Sequence, residues 1–158
     1  MFYYSSIVKE LIIRLKYKND FICGEILAKY MLEYVKNNEL QFDLISYVPM
    51  TKKAQKNRGY NQSEFLAKYL AQFLSVPVIC NLVKTEDTKD QIGLSGDQRW
   101  DNMKKCFAIK RSEVIKNKNI LLLDDVITTG ATAFHCAHML KENGANNIFI
   151  LTIAKSNV

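Results

Sequence analysis

The chain has 158 residues, of which 48% are hydrophobic and 24% are charged, and its formal net charge is +6 at pH 7. These values suit one globular domain with a sizeable core. No apolar run approaches the ~20 residues of a membrane span, and the amino terminus shows no signal-peptide pattern, because basic residues interrupt its hydrophobic positions. We therefore expect a cytoplasmic protein without membrane insertion.

The cysteines give no metal-binding pattern. They are scattered, without a Cys-x-x-Cys pair or nearby histidines at ligand spacing, at Cys23, Cys80, Cys106 and Cys136. We expect free, buried thiols rather than a zinc site.

Two amphipathic helices are predicted at the start of the chain. Apolar side chains at helical spacing predict the first from about Ser5 to Leu15, and the second ends at Asn37-Asn38. Residues 43–48 are predicted to form the first core strand. The strand is expected to end before Pro49, because proline has no N–H to donate to a β-ladder.

The middle of the chain combines polar connections with short elements. The polar segment 49–62 is predicted to be a loop at the carboxyl end of the first strand, and a helix follows from about Gln62 to Leu74. A second strand is predicted from Val78 to Val83. Residues 85–102 form a long polar stretch, which in a compact domain indicates a lid, a binding loop or disorder.

The later part of the chain predicts a parallel sheet. Four successive aliphatic residues, Ile120 to Leu123, are typical of a strand that is buried on both faces. A helix from Ala131 to Asn143 and a last strand from Asn147 to Ala154 follow. We therefore predict an α/β fold, with a mostly parallel central sheet flanked by helices. In such sheets ligands gather at the carboxyl ends of the strands, so the loop 49–62 and the loop after Asp124 are expected to face one pocket.

Two adjacent acids and a hydroxyl-rich turn lie between the buried strand and the helix. Asp124 and Asp125 repel each other unless a cation, a positive side chain or a set of hydroxyl donors shares the site, and a ribose supplies such donors. Hydroxyls and the N–H groups of a helix start bind phosphate, and here they belong to Thr128, Thr129, Gly130, Ala131 and Thr132. An ordinary turn and capped helix is the alternative, but the fixed order of these features favours a phosphate ligand.

Basic residues concentrate in two stretches. One lies in the segment 49–62, with Lys52, Lys53, Lys56 and Arg58. The other comprises Lys104, Lys105, Lys110, Arg111, Lys116 and Lys118. Such stretches suit polyanionic ligands, and solvated surface lysines are an equal alternative for the second.

The order of apolar strand, two acids and Thr-Thr-Gly-x-Thr resembles the 5-phosphoribosyl-1-diphosphate signature of the type I phosphoribosyltransferases. The resemblance implies the type I phosphoribosyltransferase fold with a flexible hood loop. It places the ribose on Asp124 and Asp125 and the 5′-phosphate on the threonine turn. Mg²⁺ is implied as the cofactor, held by the same two acids mainly through the ligand or water.

Further segments narrow the resemblance to the ComF family. They are Leu-Lys-Tyr-Lys at 15–18, Val-Pro at 48–49 before a basic loop, Arg-Gly-Tyr-Asn-Gln-Ser-Glu at 58–64, and Thr-Lys-Asp-Gln-Ile-Gly-Leu-Ser at 88–95. The family is linked with DNA uptake in naturally competent bacteria. The resemblance therefore implies single-stranded DNA and proteins of the uptake machinery as partners.

The same resemblance assigns roles to the basic residues. The diphosphate is expected on the loop after the first core strand, at Met50, Thr51 and Lys52, with added charge from Lys53 and Arg58. The hood is expected at residues 88–102, where Arg99 or Lys89 would reach the diphosphate. Nucleic-acid contacts are expected at Lys52, Lys53, Lys56, Arg58 and Arg99.

One feature departs from the family. Many members begin with a cysteine-rich zinc-binding segment, and no cysteine precedes Cys23 here. We therefore expect residues 1–158 to form a single phosphoribosyltransferase-like domain without that module.

The sequence leaves three functions open. The first is a protein of DNA uptake and natural transformation that binds 5-phosphoribosyl-1-diphosphate with Mg²⁺, and single-stranded DNA. The second is an active phosphoribosyltransferase that transfers phosphoribose to an unidentified nitrogenous acceptor. The third is a non-catalytic sensor of the sugar diphosphate. No residue is assigned as a general base, so the sequence does not decide whether the chain is an enzyme.

Overall fold

A computed structural model describes residues 2–3, 6–85 and 106–155 of the chain. In these ranges the strands are β1 (Phe2–Tyr3), β2 (Leu44–Tyr47), β3 (Leu82–Lys84), β4 (Phe107–Ile109), β5 (Ile120–Ile127) and β6 (Ile148–Lys155). The α-helices are α1 (Ser6–Lys18), α2 (Phe21–Asn37), α3 (Lys52–Arg58), α4 (Gln62–Leu74) and α5 (Ala131–Glu142). A 3₁₀ turn spans Ser112–Val114.

Four strands form a parallel sheet in the order β1-β6-β5-β2. Ile120 of β5 pairs with Leu44 of β2 on one side and with Ile148 of β6 on the other. Beyond β2, Ile45 forms an isolated parallel bridge with Val78. Because all these strands run in one direction, the carboxyl ends of β2 and β5 lie side by side at one edge of the sheet.

Helices cover both faces of this sheet. On one face, Ile45, Leu121 and Leu123 are buried in a cluster with side chains of α1, α2 and α4. On the other face, Leu122 is buried in a cluster with Leu140 of α5 and with residues of the antiparallel pair β3 and β4. This double burial explains the uninterrupted aliphatic run, and the predicted α/β fold with a parallel sheet is confirmed.

The segment between β2 and α4 is not the loop that the sequence predicted. It contains α3, which Thr51 caps by accepting a hydrogen bond from the Ala54 N–H at 3.2 Å. Gly59 ends this helix in the left-handed conformation, with φ of 89°. A seven-residue polar helix that rests on its caps has no buried face, so hydrophobic periodicity does not detect it.

The other differences between the predicted and the observed elements concern short strands. The strand predicted from Val78 to Val83 is divided, since Val78 makes a single bridge to β2 whereas Leu82–Lys84 pairs with β4. The sequence did not predict β1 or β4, because two or three residues are too few for a periodic pattern.

Other expectations concern membranes, cysteines and the hood. In the part of the chain that the structure describes, no helix is both long and apolar enough to cross a bilayer. The four cysteines are free, but Cys80 is exposed, contrary to the expectation of buried thiols. The predicted hood at 88–102, including Lys89 and Arg99, lies outside the described residues.

Leu122→Ala is expected to lower the free energy of unfolding by about 2–5 kcal/mol, because Leu122 is fully buried and its removal leaves a cavity between the sheet and α5. Ile150→Ala is the matched control. Ile150 is the β6 partner of Leu122 and is 42% exposed, so its loss should cost roughly 1 kcal/mol. Urea unfolding followed by circular dichroism measures both changes. Equal losses would contradict the core position of Leu122.

Candidate functional site

A cavity of about 230 Å³ opens at the edge of the sheet where β2 and β5 end. The loop after β2, the end of β5 and the first turn of α5 form most of its wall. It is lined by Val48, Pro49, Met50, Thr51, Ala54, Lys84, Asp124, Val126, Ile127, Thr128, Thr129, Gly130, Ala131, Thr132 and Ala133. The two loops that were expected to face one pocket therefore both line this cavity.

The turn before α5 presents hydrogen-bond donors to the cavity. Gly130 takes the left-handed conformation at the N-cap of α5, with φ of 83°, which L side chains rarely adopt. Thr129 Oγ1 accepts a hydrogen bond from the Ala131 N–H at 3.4 Å. The first N–H groups of a helix lack intrahelical acceptors and lie at the positive end of its dipole. With the lining hydroxyls of Thr128 and Thr132, this turn can bind a phosphate.

The loop after β2 brings only some of its predicted residues to the cavity. Met50 and Thr51 line it, and Thr51 is buried. Lys52 and Lys53 are exposed on the first turn of α3 and do not line the cavity. They directly follow the lining residue Thr51 in the chain and add positive charge to this part of the surface.

Arg58 lies at the other end of α3, in contact with α1 and α4. Its Nη1 donates a hydrogen bond to Gln62 Oε1 at 2.8 Å, and its guanidinium carbon lies 5.5 Å from the centroid of the Tyr17 ring. Two residues on, the Tyr60 hydroxyl donates to the Leu15 carbonyl. The segment from Arg58 to Tyr60 is thus attached to the last turn of α1.

Asn61 connects this segment to the cavity edge. Its side-chain amide donates to the Val48 carbonyl at 3.0 Å, and its Oδ1 accepts from the Ser63 N–H at 2.9 Å, so it caps α4. The Ser63 hydroxyl, in the first turn of α4, then donates to Asp124 Oδ1 at 3.1 Å. The Arg-Gly-Tyr-Asn-Gln-Ser run therefore joins α4 to β2 and supplies a partner for the first acid.

The two acids lie on opposite faces of β5, because side chains alternate along a strand. Asp124 lines the cavity, and burial raises its pKa to about 7, with a further increase from the negative charge of Asp125. Asp125 instead meets α1, where its Oδ2 lies 2.8 Å from Lys16 Nζ. The acid pair is therefore shared between the cavity and the helix layer behind the sheet.

Lys16, Ser63 and Lys84 are site residues that the sequence analysis did not assign. Lys84 lines the cavity at the end of β3, and its Nζ lies 5.7 Å from the centroid of the Phe107 ring. Burial raises the pKa of the nearby Cys136 thiol; the charge of Asp124 adds to the increase and that of Lys84 opposes it. The sequence carries one signal for Lys84: it is a single charged residue that directly follows two apolar residues at the end of a strand.

A larger cavity of about 550 Å³ lies elsewhere, between α1, α2 and β6. Apolar side chains such as Ile7, Leu11, Ile26 and Tyr30 dominate its lining, and Glu33 is its charged member. Among its described lining residues there is no basic side chain that could bind an anion. We therefore take the smaller, polar cavity as the candidate site, since its donors match the chemistry of the sequence motif.

Solved structures with similar folds identify the fold class of this protein. Adenine phosphoribosyltransferase from Thermoanaerobacter pseudethanolicus superposes with a TM-score of 0.58 at 15% identity, over 87% of this chain and 70% of that one. Purine phosphoribosyltransferase from Pyrococcus horikoshii gives 0.55 at 19% identity, over 84% and 73%. Glutamine phosphoribosylpyrophosphate amidotransferase from B. subtilis gives 0.58 at 21% identity, over 82% of this chain and 26% of that one. The protein has the type I phosphoribosyltransferase fold.

Curated relatives give the family. No family model matches the chain. Competence protein F of Haemophilus influenzae is 32% identical over 154 residues, which cover 92% of this chain and 67% of that protein. Competence protein ComFC of Streptococcus pneumoniae is 28% identical, over 98% of this chain and 66% of that protein. DNA utilization protein YhgH of Escherichia coli K12 is 28% identical, over 97% and 69%. The chain belongs to the ComF family, and it spans about two thirds of the length of these relatives.

Asp124→Asn is expected to change how stability depends on pH. The folded state raises the pKa of Asp124 from 3.8 to about 7, so between these values the folded protein keeps a proton that the unfolded chain has lost. The contribution of this group to the free energy of unfolding therefore falls as the pH rises from about 4 to about 7. Since Asn cannot ionise, the variant should gain stability relative to wild type between pH 5 and pH 8.

Urea unfolding at both pH values measures this difference. Glu113→Gln is the control, because Glu113 is exposed on the 3₁₀ turn away from the cavity. A constant difference between Asp124→Asn and wild type would contradict the burial of an ionisable Asp124.

Proposed function

We propose that the protein binds 5-phosphoribosyl-1-diphosphate with Mg²⁺ in the 230 Å³ cavity and acts in DNA uptake during natural transformation. The observation that carries the proposal is that the threonine turn, the loop after β2 and Asp124 line one cavity. A sugar with phosphate at both ends needs two groups of anion donors and an acceptor for its hydroxyls. This cavity offers all three.

Each part of the ligand has a matching group. The 5′-phosphate would accept hydrogen bonds from the turn 128–132 at the start of α5. The ribose hydroxyls would donate to the acid pair Asp124 and Asp125, since an ionised carboxylate is only an acceptor. The diphosphate would lie on Met50 and Thr51. Lys52 and Lys53, next to Thr51 in the chain, would add positive charge, as would Arg58 at the other end of α3, although none of the three lines the cavity.

Mg²⁺ fits this edge as an ion shared with the ligand. Within the described ranges, no three His, Cys, Asp or Glu side chains gather as a metal site. Mg²⁺ is commonly held by one or two carboxylates together with substrate phosphates, and Asp124 is placed to take part, directly or through water. When bound, the ion would neutralise part of the diphosphate charge.

The DNA part of the proposal is supported by the relatives and by α3. The relatives are named for competence and for DNA utilization. On this chain, α3 carries Lys52, Lys53, Lys56 and Arg58 without an acidic residue. A short helix with four positive charges attracts a phosphate backbone whatever its sequence, so we propose it as the single-stranded DNA surface. Arg99, expected on the same surface, lies outside the described residues.

Turnover is a separate step of the proposal. An active transferase would need an acceptor nitrogen to attack C1 of the sugar while pyrophosphate leaves, and the enzyme would act chiefly by positioning and charge stabilisation. Pyrophosphate release in the presence of candidate bases separates an active transferase from a sensor that only binds.

Titration calorimetry with 5-phosphoribosyl-1-diphosphate and Mg²⁺ is expected to give saturable binding to the wild-type protein. The double variant Asp124→Asn/Asp125→Asn should bind roughly 10- to 100-fold more weakly, because hydrogen bonds to charged groups contribute about 1.5–3 kcal/mol. Glu113→Gln again serves as the control. Absence of wild-type binding would overturn the ligand assignment, and unchanged affinity in the double variant would exclude the acids from the ribose site.

A single-stranded oligonucleotide is expected to bind with an affinity that falls steeply as salt rises. In the triple variant Lys52→Gln/Lys53→Gln/Lys56→Gln, the negative slope of log affinity against log salt should become shallower by about 2. Each phosphate contact on a single strand contributes about 0.7 to that slope. Fluorescence anisotropy over a series of salt concentrations measures the slope.

The matched control removes the same charge elsewhere. Lys9→Gln/Lys29→Gln/Lys36→Gln changes three exposed lysines on α1 and α2. The slope should stay close to the wild-type value. The same decrease in both triple variants would show that net charge, and not α3, determines binding.

A further inference from the structure

The apolar cavity of about 550 Å³ between α1, α2 and β6 belongs to a surface with exposed hydrophobic side chains. Ile22 on α2 and Ile7 on α1 are 72% and 71% exposed, and Tyr30 on α2 is 46% exposed. Soluble proteins rarely leave a large contiguous apolar patch open to water, and such patches mark interaction sites. The two cavities share no described lining residue, so the candidate site does not account for this surface.

The exposed apolar side chains of α2 form one row along the helix. They are four residues apart, at Ile22, Ile26, Tyr30 and Tyr34. Residues at this spacing lie on the same face of a helix, next to one another. The last three also line the apolar cavity. The row therefore borders the cavity along most of α2 and has its centre near Tyr30.

A second copy of the same helix would complement this row. When two helices pack antiparallel across a two-fold axis at Tyr30, each residue lies opposite the residue at an equal distance on the other side of Tyr30. Ile26 of one copy then lies opposite Tyr34 of the other. Every apolar contact occurs twice in such a pair, and the tyrosines of one copy are placed to pack against the apolar cavity of the other.

The charges beside the row have the same symmetry. All four are exposed on α2, and they are Glu25, Lys29, Glu33 and Lys36. In the antiparallel pair, Lys29 of one copy comes within one helical turn of Glu33 of the other. Glu25 comes within one turn of Lys36 in the same way. Opposite charges therefore meet across the two-fold axis.

We propose that this surface is the interface of a homodimer, in which the α2 helices of two copies pack antiparallel across a two-fold axis near Tyr30. An interface of this kind has to be complementary to itself, and here both the apolar row and the order of charges are. A partner of unrelated sequence would not require this symmetry.

The extent of the surface suits a stable dimer. With 17 residues, α2 is about 25 Å long. Two helices packed along that length, with the exposed start of α1 beside them, cover an area on the order of the 800 Å² that each partner buries in a standard interface. Exposed charge pairs add little affinity, so the apolar row drives association and the charges select the antiparallel orientation.

Sedimentation velocity tests the interface. Wild-type protein is expected to sediment as a dimer at about 100 µM, which populates a complex of micromolar affinity, and to dissociate on dilution. Tyr30→Asp should weaken association roughly 100-fold, because it brings two carboxylates together at the centre of an apolar interface. Circular dichroism checks that this variant is folded.

Phe134→Asp is the matched control. Phe134 is also an exposed aromatic residue, at 51%, but it lies on α5, which packs on the opposite face of the sheet. This variant should remain a dimer. Equal losses in Phe134→Asp and Tyr30→Asp would contradict the assigned surface.

Exchanged charges test the orientation. Lys29→Glu is acidic at positions 29 and 33, and Glu33→Lys is basic at both, so each variant alone should dimerise roughly tenfold more weakly than wild type. An equimolar mixture of the two should recover the wild-type affinity, because each acidic position then meets a basic one in the other chain. Mixing cannot repair an ion pair within one helix, so recovery identifies a contact between copies.

Three results would overturn the proposal. Wild-type protein that sediments as a monomer at about 100 µM would show that this surface does not bind a second copy with micromolar affinity. Unchanged association of Tyr30→Asp would exclude Tyr30 from the interface. Charge variants that stay weak in the mixture would exclude the antiparallel arrangement. None of these measurements depends on the sugar diphosphate.

Discussion

Two neighbouring carboxylates at the end of a buried strand are the constraint on which the rest of this site depends. Neither can be left without partners in a poorly solvated place, and the alternation of β5 directs them to opposite sides of the sheet. Each acid therefore needs a partner of its own, and here Ser63 of α4 reaches Asp124 while Lys16 of α1 reaches Asp125. The positions of two helices are thereby tied to two adjacent residues of one strand.

The helices that carry Lys16 and Ser63 are also part of the hydrophobic core. Gly24 of α2 lies so close to its neighbours that a Cβ there would be 2.6 Å from Phe65 Cε1 and 2.8 Å from Leu15 Cδ1. Leu15 is fully buried and precedes Lys16, and Phe65 follows Ser63 by two positions. The close packing of α1, α2 and α4 therefore sets the distances at which Lys16 and Ser63 meet the acids, so a change in the core alters the geometry of the site.

The parts that the sequence predicted are those encoded locally. The aliphatic run, the acids and the threonine turn are consecutive, so their order alone placed a strand, a turn and a helix start, and the loop after β2 was correctly placed at the same edge. The parts that were not predicted need distant contacts. Lys16 is one of many lysines until its 2.8 Å approach to Asp125 is known, and α3 rests on caps at Thr51 and Gly59 and not on an apolar face.

The position of α3 links the two proposed ligands. Its N-cap Thr51 lines the cavity, while its exposed lysines lie on the surface proposed for DNA. A sugar diphosphate bound beside Thr51 would place negative charge next to those lysines and weaken their attraction for a phosphate backbone. Mg²⁺ bound with the ligand would offset this charge. Because coupling between two sites is reciprocal, DNA on α3 would change the affinity for the sugar diphosphate by the same factor. The sign of that coupling would depend on the net charge of the proposed ligand with its metal, and in this way ligand in the cavity would alter the proposed DNA surface without touching the strand.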